Sequence, residues 1–189
     1  MQKPSRKLTD LIRHHLAISA VGPSVARQMI RKGDIQCVRK FMDNLDIRQF
    51  SSPAKFAHSL DLATKSLAKR LPKGRWGAAR KFLNIYLRNI TYNFHLRQKY
   101  RLDRVESLLE LPMDSFAAKG LHTEPEGNVL PRWKGVIHLT PESSAIYQVV
   151  AALVAARLTI CRVHLDLHYW RRPPSSKRLP DHQDSRRCR

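Results

Sequence analysis

The chain has 189 residues, enough for one domain with its own core, and 35 Lys and Arg against 15 acids give it a formal charge of +20 and a pI near 10.7. That excess points to a polyanionic partner, such as DNA, RNA or an anionic membrane face. Three scattered cysteines, Cys37, Cys161 and Cys188, exclude a disulfide framework or a four-thiolate cluster, and no apolar run approaches the roughly 18 residues that span a bilayer.

The N-terminus, MQKPSRKLTD, lacks the apolar core of a signal peptide, so the expected location is the cytoplasm, in association with the nucleoid. Leu8, Leu11, Ile12 and Leu16 fall at helical spacing and predict a first helix over 5–20. Gly22-Pro23-Ser24 breaks it and offers Ser24 as the cap of a second helix, about 24–32; Gly33 ends that one, and 35–45 makes a third. Ser51-Ser52-Pro53 places a cap before a proline at the first helical position, so a fourth helix runs to about Arg70.

A fifth helix is expected from about Ala78 to Tyr100. Between Asp61 and Asp103 the chain has eleven Lys and Arg and no carboxylate. Residues 103–111 predict a short helix stopped by Pro112, after which Asp114 can cap another through Leu121. A loop follows over 122–135. Thr140-Pro141-Glu142 starts a helix over 141–158 that is apolar on most faces and so is the expected buried centre. In 160–170 the apolar residues alternate like a strand, but a lone strand has no partner, so a helix from about Leu165 is expected. The last stretch, 171–189, holds seven basic residues and three prolines and predicts a disordered basic tail. The fold class is therefore all-α, with a single domain over 1–170.

The functional reading centres on the turn at about 71–81. A Gly-bearing turn between helices exposes backbone N–H groups that suit phosphate oxygens. Lys73, Gly74, Arg75, Gly77 and Arg80, with Arg88 further along the helix, are the expected DNA-backbone contacts. The bland alternative is a plain helix–helix connection with solvated basic faces. His164 and His168 stand at i, i+4, a spacing that can chelate, but with no third ligand evident no metal is expected.

Gly77-Ala78-Ala79-Arg80-Lys81-Phe82-Leu83-Asn84, followed by Pro112-Met113-Asp114-Ser115-Phe116-Ala117-Ala118-Lys119, resembles the helix-hairpin-helix DNA glycosylase superfamily. There a hairpin of the type GxGxKxxN precedes a catalytic aspartate at a helix start. Ala79 stands where the second glycine is usual. The long interval before Asp114, and Asp166 with Trp170 four residues on, are nearest the archaeal-type 8-oxoguanine DNA glycosylase/lyase branch. The resemblance implies Lys81 and Asp114 as catalytic residues. It implies a base pocket formed by Asp166 and Trp170; Trp76 and Trp133 are further candidate stacking surfaces, with core packing the competing reading for each Trp and a helix cap for Asp166.

The expected activity is excision of a modified base from double-stranded DNA, the base being flipped out, with nicking at the abasic site by AP lyase chemistry. The substrate is an oxidised purine such as 8-oxoguanine, or a hypermodified phage base in a defence role. No cofactor, no membrane and no obligate protein partner are expected. Two other classes compete with this reading: a non-catalytic basic DNA- or RNA-binding protein, and a helical transcription regulator.

Overall fold

The computed structural model describes residues 5–26 and 29–170, in which every regular element is helical. The basic tail expected at 171–189 lies outside the described residues. Helix α1 (Arg6–Ala20) starts at Ser5, whose Oγ accepts from the Leu8 N–H at 3.2 Å. Its predicted stripe is divided, with Ile12 and Leu16 packing inward while Leu8 and Leu11 stay exposed. Helix α2 (Pro23–Ala26) has four described residues, and since 29–32 are not helical it ends earlier than expected. Helices α3 (Asp34–Asp43) and α4 (Pro53–Ala68) follow, the latter with Pro53 in its first turn.

Helix α5 (Trp76–Tyr92) does not reach Tyr100. Asn93 takes an extended backbone and its side chain accepts from the Leu96 N–H at 3.1 Å, so it caps a new helix, α6 (Phe94–Tyr100). The short helix expected over 103–111 is a 3-10 helix at Leu102–Leu108. Helix α7 (Ser115–Thr123) begins at Asp114. Helix α8 (Pro141–Arg157) begins with a capping box of Thr140 and Ser143. The strand-like stretch after it is helical as expected, forming a 3-10 turn at Arg162–His164 and then α9 (Leu165–Tyr169).

Two apolar cores form. The first gathers α1, α3, α4, α5 and α6 and holds Phe50, Phe56, Leu67, Phe82, Tyr86 and Ile90. The second gathers α7, α8 and α9 around Leu111, Leu121, Tyr147, Val154, Leu165 and Tyr169. The buried central helix is α5, not α8. Phe82, Leu83, Tyr86, Leu87 and Ile90 are buried on α5, whereas α8 buries one face and exposes Ile146, Val149 and Leu153. Composition alone misplaces the centre because α8 has apolar residues on more faces than its neighbours cover. No single helix among the described residues is long and apolar enough to cross a membrane.

A short 3-10 turn at Val136–His138 packs across the start of α5. Gly77 makes this possible, because a Cβ there would lie 2.1 Å from the Val136 carbonyl oxygen and 2.7 Å from the Leu139 Cβ. Gly77→Ala is expected to force the two segments apart and cost about 1–3 kcal/mol, read as a lower urea midpoint with an unchanged slope.

Candidate functional site

Asp114 and Lys81 meet where the two cores join. The Asp114 Oδ1 accepts from the Phe116 and Ala117 N–H groups, both at 2.9 Å, which caps α7 and fixes the carboxylate. Its Oδ2 stands 3.4 Å from the Lys81 Nζ. The lysine comes from the first core and the aspartate from the second, 33 residues apart in sequence.

The segment leading to Asp114 is held rigidly. The buried Gln148 amide on α8 accepts from the Leu111 N–H at 3.0 Å and donates to the Leu111 carbonyl at 2.8 Å. Arg162 donates to the carbonyls of Leu109 and Leu108, at 3.1 and 3.0 Å. Pro112 and Met113 are buried, so Asp114 has little freedom. Gln148→Leu strips both partners from the buried Leu111 peptide groups. A loss of about 1–3 kcal/mol for each unsatisfied group is expected, read by chemical denaturation.

Lys81 is largely withdrawn from water, its side chain being 10 % exposed against 28 % for Asp114. Burial pulls the Lys81 ammonium below its ordinary value, and the charge and hydrogen bond of Asp114 offset this only in part. An amine so placed is easier to deprotonate than one on the surface. It can then act as a nucleophile.

The pair opens onto a cavity of about 470 Å³, within the range of about 300–1,000 Å³ usual for ligand clefts. Ser24, Val25 and Met29 close one side, Ser115 and Phe116 sit at the start of α7, and residues 134–137 form the far wall. Phe116 is 58 % exposed at this mouth, where a core residue would be hidden. Neither Ser24, Val25 and Met29 nor residues 134–137 were legible as site residues, since the one-turn helix and the turns that carry them hold no motif. A positive φ of 100° at Gly135 marks the bend that turns Lys134 and Val136 toward the cavity.

None of the expected base-pocket residues lines this cavity. Asp166 on α9 is ion-paired with Arg88 on α5, so the expected base acceptor and the expected DNA contact satisfy each other. Trp170 is exposed. Trp76 and Trp133 pack against the second core. Of these, Trp133 comes nearest, with its Nε1 donating to the cavity residue Ser115 at 3.3 Å.

The expected phosphate contacts also divide. Lys73 and Gly74 form the exposed tip of the turn between α4 and α5, both with positive φ. Arg75 donates to the Met29 carbonyl, tying the turn to the segment that closes the cavity. Gly77 is not a phosphate contact, because the close approach of residues 136–139 buries it.

Arg80 is likewise turned inward. Its guanidinium makes a bidentate pair with Glu110, at 2.7 and 2.8 Å, and a 2.8 Å bond to Asp61. Asn84 adds a 3.0 Å bond to Glu110. Burial pushes the Glu110 carboxyl up, but the bonds and charge of Arg80 with the Asn84 bond outweigh it and hold the group below the usual range. Lys81, one residue on, faces the other way.

His164 pairs with Glu106 at 3.3 Å, and among the described residues no three His, Cys, Asp or Glu side chains gather as a metal-holding group. Comparisons with family models, curated proteins and solved structures find no match to this chain. The functional reading therefore stands on the residues themselves.

Proposed function

We propose that this protein is a DNA glycosylase of helix-hairpin-helix type that removes a modified base and cleaves the abasic strand by lyase chemistry. The observation that carries the reading is the pairing of a buried Lys81 with a helix-capping Asp114 on the wall of an open cavity. A salt bridge that only held the fold would have no use for the opening. Helix α4, the turn at Pro72–Gly74 and α5 follow the order of a helix-hairpin-helix, with Lys81 on its second helix. The formal charge of +20 supplies attraction to phosphate without sequence preference.

In the proposed reaction Asp114 accepts a proton from the Lys81 ammonium, and the amine attacks C1′ of a flipped nucleotide. The glycosidic bond breaks, and the base leaves with the bonding electrons and takes up the proton that Asp114 holds, which ionises Asp114 again. The ionised Asp114 then faces the positive charge that develops on the sugar. The second proton moves from the nitrogen to the ring oxygen O4′ as the C1′–O4′ bond breaks, which gives a protonated Schiff base; loss of a C2′ proton from it then expels the 3′ phosphate. Phe116 and Ile137 offer apolar surface at the mouth, suited to filling the stack that the base leaves.

The test is mass spectrometry of free bases released from DNA carrying oxidised purines or hypermodified pyrimidines, together with borohydride trapping. Release of one base and a covalent protein–DNA adduct are expected. DNA binding with neither release nor trapping on any substrate would leave the non-catalytic reading in place, with the lysine serving only as a phosphate contact. The base released decides between repair of oxidation and a defence role. The turn-tip residues Lys73 and Gly74 remain the proposed backbone contacts, and the nucleoid the proposed location.

A further inference from the structure

The cavity beside Lys81 and Asp114 carries polar groups that the proposed chemistry leaves unused. Both Asp114 oxygens are engaged, one by two backbone N–H groups and the other by Lys81. The Ser115 Oγ accepts from the Trp133 indole N–H at 3.3 Å, which leaves its hydroxyl proton to donate. Lys134 lines the same cavity, is exposed, and has no ion pair or hydrogen bond among the described residues. Beyond the Lys81–Asp114 pair, the lining therefore offers a ligand a cation and a hydroxyl donor. That combination suits an anion.

An exposed lysine is ordinarily only solvated, and the footing of this one sets it apart. Residues 131–135 form a strap without regular structure. The Tyr147 hydroxyl donates to the Pro131 carbonyl at 2.6 Å, and the Trp133 ring stands edge-on to the Tyr147 ring at 5.5 Å. Just past Gly135 the chain is wedged against Gly77. Pro131 and Trp133 are thus held inward, while Arg132 and Lys134 alternate outward. No acid occurs between Glu126 and Glu142, so nothing within the strap neutralises them. Lys134 is a cation on a fixed backbone at the wall of an open cavity.

We infer that Lys134 and the Ser115 hydroxyl form a subsite for a DNA phosphodiester, the one attached to the nucleotide whose base has left the stack. The inference rests on the glycosylase reading, which places that nucleotide in this cavity. An ammonium and a hydroxyl both donate to non-bridging phosphate oxygens, and the charged bond is the stronger. In a closed duplex the phosphates stay on the outer rim and meet the exposed turn at Lys73. The Lys134 subsite is reached only when a nucleotide swings out. Binding that the extruded state alone receives shifts the population toward it and offsets the cost of unstacking.

Fluorescence anisotropy of the full chain with two duplexes of one sequence tests this. One is intact, and the other carries a single tetrahydrofuran abasic analogue, which extrudes readily and has no aldehyde for Lys81 to attack. Lys134→Ala is expected to weaken binding to the analogue about tenfold. It should also lower the salt slope there by about one ion and leave the intact duplex nearly unchanged. Lys134→Arg should keep most of the affinity, and Lys73→Ala should weaken both duplexes alike. Lys134 supports no other side chain, so unchanged helical circular dichroism is expected of each variant. An equal loss on the two duplexes, or no loss on either, would overturn the subsite. Neither readout depends on base release, so the two ideas fail separately. Base release without selectivity at Lys134 removes the subsite and keeps the glycosylase. Selectivity at Lys134 with neither release nor trapping keeps the subsite and removes the glycosylase.

Discussion

Replacing Lys81 with Gln is expected to abolish borohydride trapping and to lower base release by about 10²–10⁴-fold or more, the scale on which positioned proton-transfer and nucleophilic groups act. Glutamine keeps most of the shape and a polar tip but has no amine to form a Schiff base. Duplex binding should change by little, since one cation among 35 Lys and Arg is removed. Asp114→Asn should also lose base release, while its amide oxygen still caps α7. The two variants therefore separate chemistry from folding, provided both melt near the parent temperature.

The pH profile gives an independent check. Burial lowers the Lys81 value from its ordinary 10.5, so the neutral amine becomes available at a lower pH than for an exposed lysine. The rate should rise with pH until it passes through the folded-state value and then level off. The same shift has a sign in stability. Between the lowered folded value and 10.5 the unfolded chain binds more protons at this position, so this group makes stability rise with pH over that window. Lys81→Gln should flatten that part of the profile.

Arg80→Leu is expected to destabilise the protein by about 3–5 kcal/mol, because it strands Glu110 as a buried charge. The side chains of Arg80 and Glu110 are only 9 % and 14 % exposed. For a chain of this size that corresponds to a fall of roughly 10 °C or more in Tm. Asp61 adds little to the estimate, since it is 54 % exposed and water screens it. Changing Glu110 to Leu in the same chain should recover much of the loss, because the orphan charge goes with its partner.

Acid sensitivity gives the second reading of the cluster. The Glu110 value is depressed in the folded state, so its contribution is present above the ordinary carboxylate value and is lost as pH falls through the folded one. Arg80→Leu should remove that loss. It should leave the salt dependence of DNA binding near that of the parent, whereas Lys73→Ala at the exposed turn should lower the slope by about one ion.

Much of the helical framework was legible from the residues alone, for local reasons. Asp114 and Thr140 each cap the helix they precede, and Pro53 and Pro141 sit in first turns where a missing N–H costs nothing. Lys81 and Asp114 were singled out by their types and by their places near helix starts, and the structure sets them 3.4 Å apart. The break at Asn93 was missed because Asn is tolerated within a helix and takes the cap only when its side chain finds the Leu96 amide.

What tertiary structure alone decided is which way each basic side chain faces. Arg80 and Lys81 are adjacent, equally cationic and part of the same acid-free stretch, yet one is tied to Glu110 and the other opens onto the cavity. Neighbours on a helix point about 100° apart, and only the arrival of residue 110 on one side and residue 114 on the other gives the two directions different chemistry. Likewise the acidic partner of Arg88 lies 78 residues away on α9, and the wall over the cavity comes from Ser24, Val25 and Met29 and from residues 134–137. Such long-range pairings leave no trace in local periodicity. Composition determined an all-helical, strongly basic chain with one amine–carboxylate pair worth testing, and packing determined which of its charges remain free to meet a ligand.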